Sequence, residues 1–294
     1  MSQILVTGAT GHLGAAVTEN LIKKTNPANI NVVVRDGGKA ATFEAKGITA
    51  KIGDYNDYDS LVAAFRGIDK LYLVSGNDIA NRTGQHENAV SAAKEAGVKH
   101  IVYTSFQHKN ETETSAIAFI AASHLYTEKL IKASGITYTL LQHGLYADLI
   151  PLFAGEHLLD NKTIFLPAGE GKCAFATRKD FAEAGANVLL EETGKFDHTT
   201  IELAGSEAIS WRQIASIISE ITGSEIIYVS PSLDDFSTTL TKAGVPAEYI
   251  GLFSGFSQAL AQGEFEQITG DLEMVLARKP VSVAEYLQSV YGKI

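Results

Sequence analysis

A glycine-rich stretch near the start of the chain gives the first indication of chemistry. VTGATGHLGAAV (6–17) follows a short apolar run and opens a helical pattern. In such a stretch the first glycine allows a tight turn, the second admits a pyrophosphate, and the third lets helix and strand pack closely. The free N–H groups at the helix start attract phosphate. We expect these residues to contact a dinucleotide: Gly8, Thr10, Gly11, His12, Leu13 and Gly14.

The end of the next apolar run distinguishes between dinucleotides. Arg35 closes the run NVVVR, about 20 residues beyond the glycines, where an acidic residue would bind the ribose diol of NAD(H). An arginine suits a 2′-phosphate instead, because its guanidinium donates parallel hydrogen bonds. Lys39 adds positive charge, whereas Asp36 leaves the diol alternative open. We therefore expect NADP(H) as the cofactor.

Apolar runs alternate with helical patterns through the first half of the chain. Continuous apolar strands separated by helices predict an α/β fold with a doubly wound parallel sheet, Rossmann-like in arrangement. Gly67, Gly97 and Gly135 each follow a helical pattern and are expected to end the helix.

Other candidate cofactor contacts follow the remaining predicted strands. Ligands of such sheets bind beyond the carboxyl ends of the strands. Each of these residues alone could belong to an ordinary loop, but together they describe a groove: Asp54, Tyr55, Ser75, Gly76, Asn77, Thr104, Gln142, His143 and Gly144.

The regular alternation ends near residue 145, which suggests two domains. Residues 1–150 are expected to form the dinucleotide-binding domain, to which the chain returns near 172–205. Residues 151–294 are expected to form mainly a smaller α/β domain that binds substrate. Because no linker rich in proline, glycine or serine separates them, we expect the two to pack tightly.

Composition narrows the class of partner. The net charge is −10 without basic clusters, so we expect no nucleic-acid partner. Cys173 is the single cysteine, which excludes an intramolecular disulfide and fits a reducing compartment. No apolar segment approaches the roughly 20 residues of a membrane span. We expect a cytoplasmic protein without a membrane partner; a homodimer is one expected assembly.

Acid–base residues of the usual kind are missing. Many reductases of this fold use Tyr-x-x-x-Lys, in which lysine lowers the pKa of tyrosine. None of the 11 tyrosines has lysine four residues later, although Lys129 follows Tyr126 by three. This disfavours a nucleotide-sugar epimerase, and no zinc-protease or thiol-redox motif indicates a metal or thiol site. His124 and Glu128 share a helix face and are expected to form a surface pair.

The stretches TGATGHLG, RDGGKA, GDYNDYDSL, AGVKHIVYTS, HLYTEKLI, ITYTLLQHGLY and KCAFATRKDFAEA together resemble the NmrA-like atypical short-chain dehydrogenases. The resemblance covers nearly the whole chain and points to the type 2 quinone oxidoreductase and triphenylmethane reductase group. It implies hydride transfer from NADPH to a quinone or similar flat conjugated acceptor, without Tyr-x-x-x-Lys. That group typically has Arg-Asn where this chain has Gln142–His143, which leaves substrate scope open.

Candidate catalytic and substrate residues follow from this resemblance and from the positions after the last strands. His143, Tyr146 and Lys129 are the catalytic candidates, with His143 either an acid or a space-filling residue. Phe106, Gln107 and Tyr146 are the expected substrate contacts, because aromatic rings stack on a flat acceptor. The resemblance to NmrA itself implies an alternative, a non-catalytic NADP(H)-sensing regulator that binds a protein partner.

Overall fold

The fold is described from a computed structural model that covers residues 2–292. The strands are β1 (Ile4–Val6), β2 (Ile30–Val34), β3 (Thr49–Ile52), β4 (Lys70–Leu73), β5 (His100–Phe106), β6 (Thr137–His143), β7 (Thr163–Phe165), β8 (Lys172–Cys173), β9 (Thr199–Leu203), β10 (Ile209–Ser210) and β11 (Ile227–Val229). The helices are α1 (His12–Lys24), α2 (Ala40–Glu44), α3 (Tyr58–Phe65), α4 (Arg82–Glu95), α5 (Ala118–Ser134), α6 (Ile150–Ala154), α7 (Leu158–Asn161), α8 (Arg178–Leu190), α9 (Trp211–Thr222), α10 (Leu233–Lys242), α11 (Ala247–Ala261), α12 (Asp271–Leu276) and α13 (Val283–Tyr291).

A parallel sheet of seven strands forms the centre of the molecule. Its strand order is β3-β2-β1-β4-β5-β6-β9, and each neighbouring pair is parallel. The order reverses between β1 and β4, which leaves a crevice at their carboxyl ends. The predicted doubly wound parallel sheet is confirmed.

Helices cover both faces of this sheet because its strands are apolar on both sides. On one face α1, α8 and α12 enclose a core that includes Val17, Leu21 and Phe181. On the other, α3, α4 and α5 enclose a core that includes Phe65 and Ile131. Two elements of segment 172–205, α8 and β9, thus pack with the first half of the chain, as does α12 beyond it.

A third core lies among the remaining elements. Helices α6, α9, α11 and α13 pack with the parallel pair β7–β11 and the antiparallel pair β8–β10 around Trp211 and Phe265. Phe106, the last residue of β5, packs against this core. The carboxyl end of β5 is therefore a place where the central sheet meets the later part of the chain.

The predicted helix-ending glycines are confirmed by backbone geometry. Gly67, Gly97 and Gly135 have φ values of +77°, +78° and +80°, in the left-handed region that glycine adopts without strain. Across residues 2–292, no helix combines the length and apolar character needed to cross a membrane.

Candidate active site

A cavity of about 760 Å³ opens at the carboxyl ends of β1, β2, β3 and β4. This is the crevice at which doubly wound sheets bind ligands. Many of the predicted cofactor contacts line it: Gly8, Thr10, Gly11, His12, Leu13, Gly14, Arg35, Lys39, Asp54, Tyr55, Ser75, Gly76 and Asn77. Tyr146 and Arg178 line it as well, from beyond β6 and from the start of α8.

The glycine loop has a geometry that only glycine fits at two positions. Gly8 has φ +61°, in the left-handed region. A Cβ atom on Gly14 would lie 2.4 Å from the carbonyl oxygen of Gly8, so α1 begins directly against the turn. The N–H of Gly11 donates to the same oxygen at 2.9 Å. The loop thus brings backbone N–H groups to the edge of the cavity.

The start of α1 is open toward an anion. Its N-cap residue, Gly11, offers no side-chain hydrogen bond, and the first turn contains no acidic residue. The first N–H groups of a helix have no partner within the helix. Because they carry a partial positive charge at this end of the helix dipole, they can bind a phosphate group in the cavity.

Positive charge marks one end of the cavity, beyond β2. Arg35 and Lys39 are exposed and line it, and within the described residues neither side chain forms an ion pair. Asp36, in contrast, is absent from the lining. Its carboxylate accepts from the N–H of Gly38 at 2.9 Å and caps a short turn. This arrangement favours a phosphate over an uncharged ribose diol.

Side chains hold the loop that follows β4. The hydroxyl group of Tyr55 lies within donating distance of two acceptors, Thr7 Oγ1 at 2.6 Å and Val74 O at 2.7 Å. Thr7 Oγ1 accepts from the N–H of Val74 at 2.9 Å, and Thr104 Oγ1 accepts from the N–H of Ser75 at 2.9 Å. Thr104 therefore supports the cavity wall from below, although it is not part of the lining.

Tyr146, which lines the cavity, lies next to the buried His143. Burial raises the pKa of Tyr146 to about 12, with Arg178 opposing the shift; the guanidinium carbon lies 5.2 Å from the ring centre. His143 is buried, its ring stacked at 4.5 Å on Phe181. Burial lowers the pKa of His143 to about 3, so the imidazole is neutral at physiological pH. Its Nδ1 lies 3.3 Å from Tyr146 Oη.

Several predicted site residues lie outside the cavity lining. Gln142 is buried and donates to Glu128 at 2.9 Å, and the N–H of Gly144 donates to Leu203 O at 2.9 Å. Lys129 is on the exposed face of α5. The structure therefore does not bring Lys129 to the cavity, because the opposite face of that helix packs on the sheet.

The expected substrate contacts are divided between two places. Tyr146 lines the cavity, whereas Phe106 is half-buried with its ring 5.6 Å from Phe265 and 6.4 Å from Phe256. Gln107 is buried, and both its amide nitrogen and its amide oxygen lack a hydrogen-bond partner. Phe106 ends β5 and Gln107 directly follows it, next to the third core.

The prediction that His124 and Glu128 form a surface pair is wrong. Both side chains are buried. Glu128 accepts from Ser105 Oγ at 2.6 Å, and His124 Nδ1 lies 2.9 Å from Tyr103 Oη. The reason is that this face of α5 packs on β5 and β6, so the two residues bond to the sheet.

The sequence reasoning missed several residues of the lining: Thr7, Val33, Asn56, Val74, Asp78, Gln85 and Arg178. Most are direct neighbours of residues that were predicted, and only their contacts in the fold distinguish them. Arg178 is different, because it begins a later helix. Its basic side chain at the start of the helical pattern RKDF was the one available signal.

The sheet order and the open helix start at its crevice define a dinucleotide-binding protein of the Rossmann type. The NmrA-like family model matches residues 1–287, and the chain belongs to that family. It is 34% identical over 289 residues to quinone oxidoreductase 2 of Escherichia coli strain K12, which covers 98% of this chain and 99% of the relative.

Solved structures agree with this assignment. The NADPH-dependent quinone oxidoreductase of Escherichia coli, complexed with NADPH, superposes with a TM-score of 0.91 at 34% identity and covers 98% of this chain and 99% of that one. Citrobacter sp. triphenylmethane reductase, complexed with NADP(H), has a TM-score of 0.89 at 32% identity, with 98% and 99% covered. NmrA, a negative transcriptional regulator in complex with NAD, has a TM-score of 0.79 at 16% identity over 99% and 95%, which shows a shared fold only.

Proposed function

We propose that this chain is an NADPH-dependent reductase that transfers hydride to a quinone or a similar flat conjugated acceptor. One observation carries the proposal: an uncapped helix start, two cationic side chains without ion pairs and the side chain of Tyr146 line one cavity. The relatives named above, quinone oxidoreductase 2 and triphenylmethane reductase, support the choice of cofactor and of acceptor class.

The residues of the cavity fit NADP(H). The N–H groups of the glycine loop and of the first turn of α1 would hold the pyrophosphate. Arg35 and Lys39 would hold the 2′-phosphate, since neither has an ion pair and Asp36 is engaged by Gly38. Asp54, which lines the cavity after β3, would face the adenosine half.

Tyr146 is the residue we propose to interact with the acceptor. When bound, NADPH supplies the hydride that reduces the acceptor. A tyrosine whose pKa is raised to about 12 keeps its proton at physiological pH, so it can donate a hydrogen bond to an acceptor oxygen that gains negative charge. Because His143 is neutral and buried, we assign it the role of orienting Tyr146 rather than that of an acid.

The acceptor would lie between Tyr146 and the carboxyl end of β5. Phe106 presents a half-buried ring there, already part of an aromatic cluster with Phe256 and Phe265. A flat conjugated acceptor could stack against it in an offset or edge-on arrangement. On this proposal residues 1–150, with the chain that returns near 172–205, bind the dinucleotide, and 151–294 provide most of the acceptor side.

The proposal is tested by following nicotinamide absorbance. Purified protein is mixed with NADPH, and separately with NADH, before a simple benzoquinone is added. Rapid enzyme-dependent oxidation of NADPH supports the reductase. Tight binding of NADPH without oxidation by any of a panel of quinones and triphenylmethane dyes would contradict it and favour the cofactor-sensing alternative. Cell fractionation tests the proposed cytoplasmic location, and light scattering tests the homodimer.

A further inference from the structure

The backbone N–H and carbonyl oxygen of Gly76 are both held by side chains of helix α4. Arg82 Nε donates to the carbonyl oxygen of Gly76 at 2.7 Å. The N–H of Gly76 donates to Nε2 of His86 at 3.1 Å. Both residues are buried: Arg82 is 6% exposed and His86 is fully buried. Gly76 itself lies in the cavity wall, so two buried side chains fix the two peptide groups that flank Gly76, one through its N–H and the other through its carbonyl oxygen.

The hydrogen bonds of His86 define its tautomer. A backbone N–H can only donate, so Nε2 of His86 must accept and its proton must be on Nδ1. Nδ1–H donates to Thr127 Oγ1 at 2.8 Å, and the hydroxyl of Thr127 donates in turn to the carbonyl oxygen of Ser123 at 2.7 Å. Each polar group in this series of hydrogen bonds, from the Gly76 N–H to the Ser123 carbonyl oxygen, therefore has a partner. Burial lowers the pKa of His86 to about 3, so the arrangement persists at physiological pH.

Arg82 is anchored at its other end on α5. Its Nη1 lies 3.3 Å from Ser123 Oγ and 3.2 Å from Nε2 of His124. In the part of the chain that the structure describes, Arg82 forms no ion pair. Burial lowers the pKa of its guanidinium, and Asp78 opposes this shift through its charge without forming an ion pair. A buried cation without a carboxylate partner is costly, which makes a role in packing alone a poor explanation.

We propose that Arg82 and His86 are positioning residues for the dinucleotide. Together they turn the Gly76 carbonyl toward the protein interior, so that a phosphate or ribose in the cavity does not meet this oxygen. The unpaired charge of Arg82, directly behind the wall, further favours an anionic ligand. The inference rests on the proposed function and adds to it two residues that lie outside the cavity lining.

The position of Gly76 identifies the half of the dinucleotide that this clamp affects. Arg35 and Lys39 follow β2, on one side of the glycine loop. Gly76 follows β4, on the other side of β1 in the sheet. A ligand with its 2′-phosphate at Arg35 and its pyrophosphate at the glycine loop therefore reaches Gly76 with its nicotinamide half. Adenosine 2′,5′-bisphosphate, which lacks the nicotinamide nucleotide, does not need the clamp.

Isothermal titration calorimetry with these two ligands tests the inference on the full chain. We expect Arg82→Met to raise the Kd for NADPH by about 10- to 100-fold, as for the loss of one charge-assisted hydrogen bond. The Kd for adenosine 2′,5′-bisphosphate should change by less than about twofold. Arg66→Met, at an exposed arginine of the same domain, is the matched control and should change neither value.

Two further variants separate the clamp from helix packing and from misfolding. Ser123→Ala removes one of the two contacts of Arg82 with α5, leaving the contact with His124 and the bond to Gly76, so NADPH affinity should change by less than about threefold. Arg82→Lys keeps the charge but lacks the second donor group, and it provides the same ligand comparison if Arg82→Met does not fold.

Three results would overturn the inference. They are an equal loss of affinity for both ligands, no loss for NADPH in either Arg82 variant, and a loss in Ser123→Ala as large as in Arg82→Met. A wild-type chain that binds neither ligand would instead refute the proposed function, so the two failures are distinguishable.

Discussion

Replacement of Arg35 by alanine tests the assignment of the 2′-phosphate site. Arg35 is exposed, lines the cavity and has no ion pair among the described residues. Its guanidinium is thus available to a phosphate without first breaking a contact within the protein. Arg35→Ala removes the only group at this position that can donate two parallel hydrogen bonds, while Lys39 stays in place.

The size of the effect follows from these contacts. The loss of one charge-assisted hydrogen bond weakens binding by about tenfold, and the loss of two such bonds would weaken it by roughly a hundredfold. Exposure to water and the remaining Lys39 reduce this value. We therefore expect kcat/KM for NADPH to fall by about 10- to 30-fold, and kcat/KM for NADH to stay within about twofold.

The assay compares the two cofactors at one fixed concentration of benzoquinone. Arg66→Ala, at an exposed arginine away from the cavity lining, serves as the control and should leave both kcat/KM values unchanged. Equal losses with NADPH and NADH would refute the reasoning, because they would show that Arg35 does not discriminate through the 2′-phosphate. An unchanged ratio of kcat/KM for NADPH to kcat/KM for NADH would favour the alternative in which Asp36 binds a ribose diol.

Three further changes have defined expectations. Gly14→Ala would place a Cβ atom 2.4 Å from Gly8 O. We therefore expect this variant to lose about 1–3 kcal/mol in stability, with a lower melting temperature, and to lose measurable NADPH binding. Normal NADPH binding in calorimetry would contradict the close packing at Gly14. Tyr146→Phe should lower kcat with benzoquinone by about 10- to 100-fold while the Kd for NADPH is retained, and an unchanged kcat would remove Tyr146 from the reaction. Burial lowers the pKa of four histidines in the folded protein: His86, His100, His124 and His143. Below about pH 6.5 the unfolded chain binds more protons at these four histidines than the folded chain does. The stability they contribute is therefore fully present above that pH, and it falls by up to about 1.4 kcal/mol per pH unit for each histidine as the pH drops toward the folded pKa values. Urea unfolding at pH 7 and pH 5.5 measures this loss, and equal stabilities at the two pH values would contradict it.

The central sheet could be predicted because its signals are local. Apolar runs alternate with helical patterns, and Gly67, Gly97 and Gly135 mark helix ends within a few residues of the chain. The spacing of the glycines in VTGATGHLGAAV likewise predicts a loop whose tight packing at Gly14 the structure confirms. These features depend on short-range sterics, which a single sequence records.

Contacts between distant segments could not be predicted in the same way. Helical spacing places His124 and Glu128 on one face of α5, but it does not say whether that face meets water or the sheet. Arg82 and His86 read as ordinary polar residues of α4 until the fold brings them to Gly76. The packing of α12 against the first half of the chain, around Leu272, is also a property of the assembled core.

The most direct test of the account is a single-turnover experiment without oxygen. Equimolar enzyme and NADPH are mixed rapidly with excess benzoquinone, and nicotinamide absorbance and hydroquinone are both measured. We expect NADPH to disappear rapidly and hydroquinone to form in equal amount, and we expect Tyr146→Phe to slow both. NADPH that stays bound and unoxidised, with no hydroquinone, would contradict the claim that this chain is a reductase of quinones.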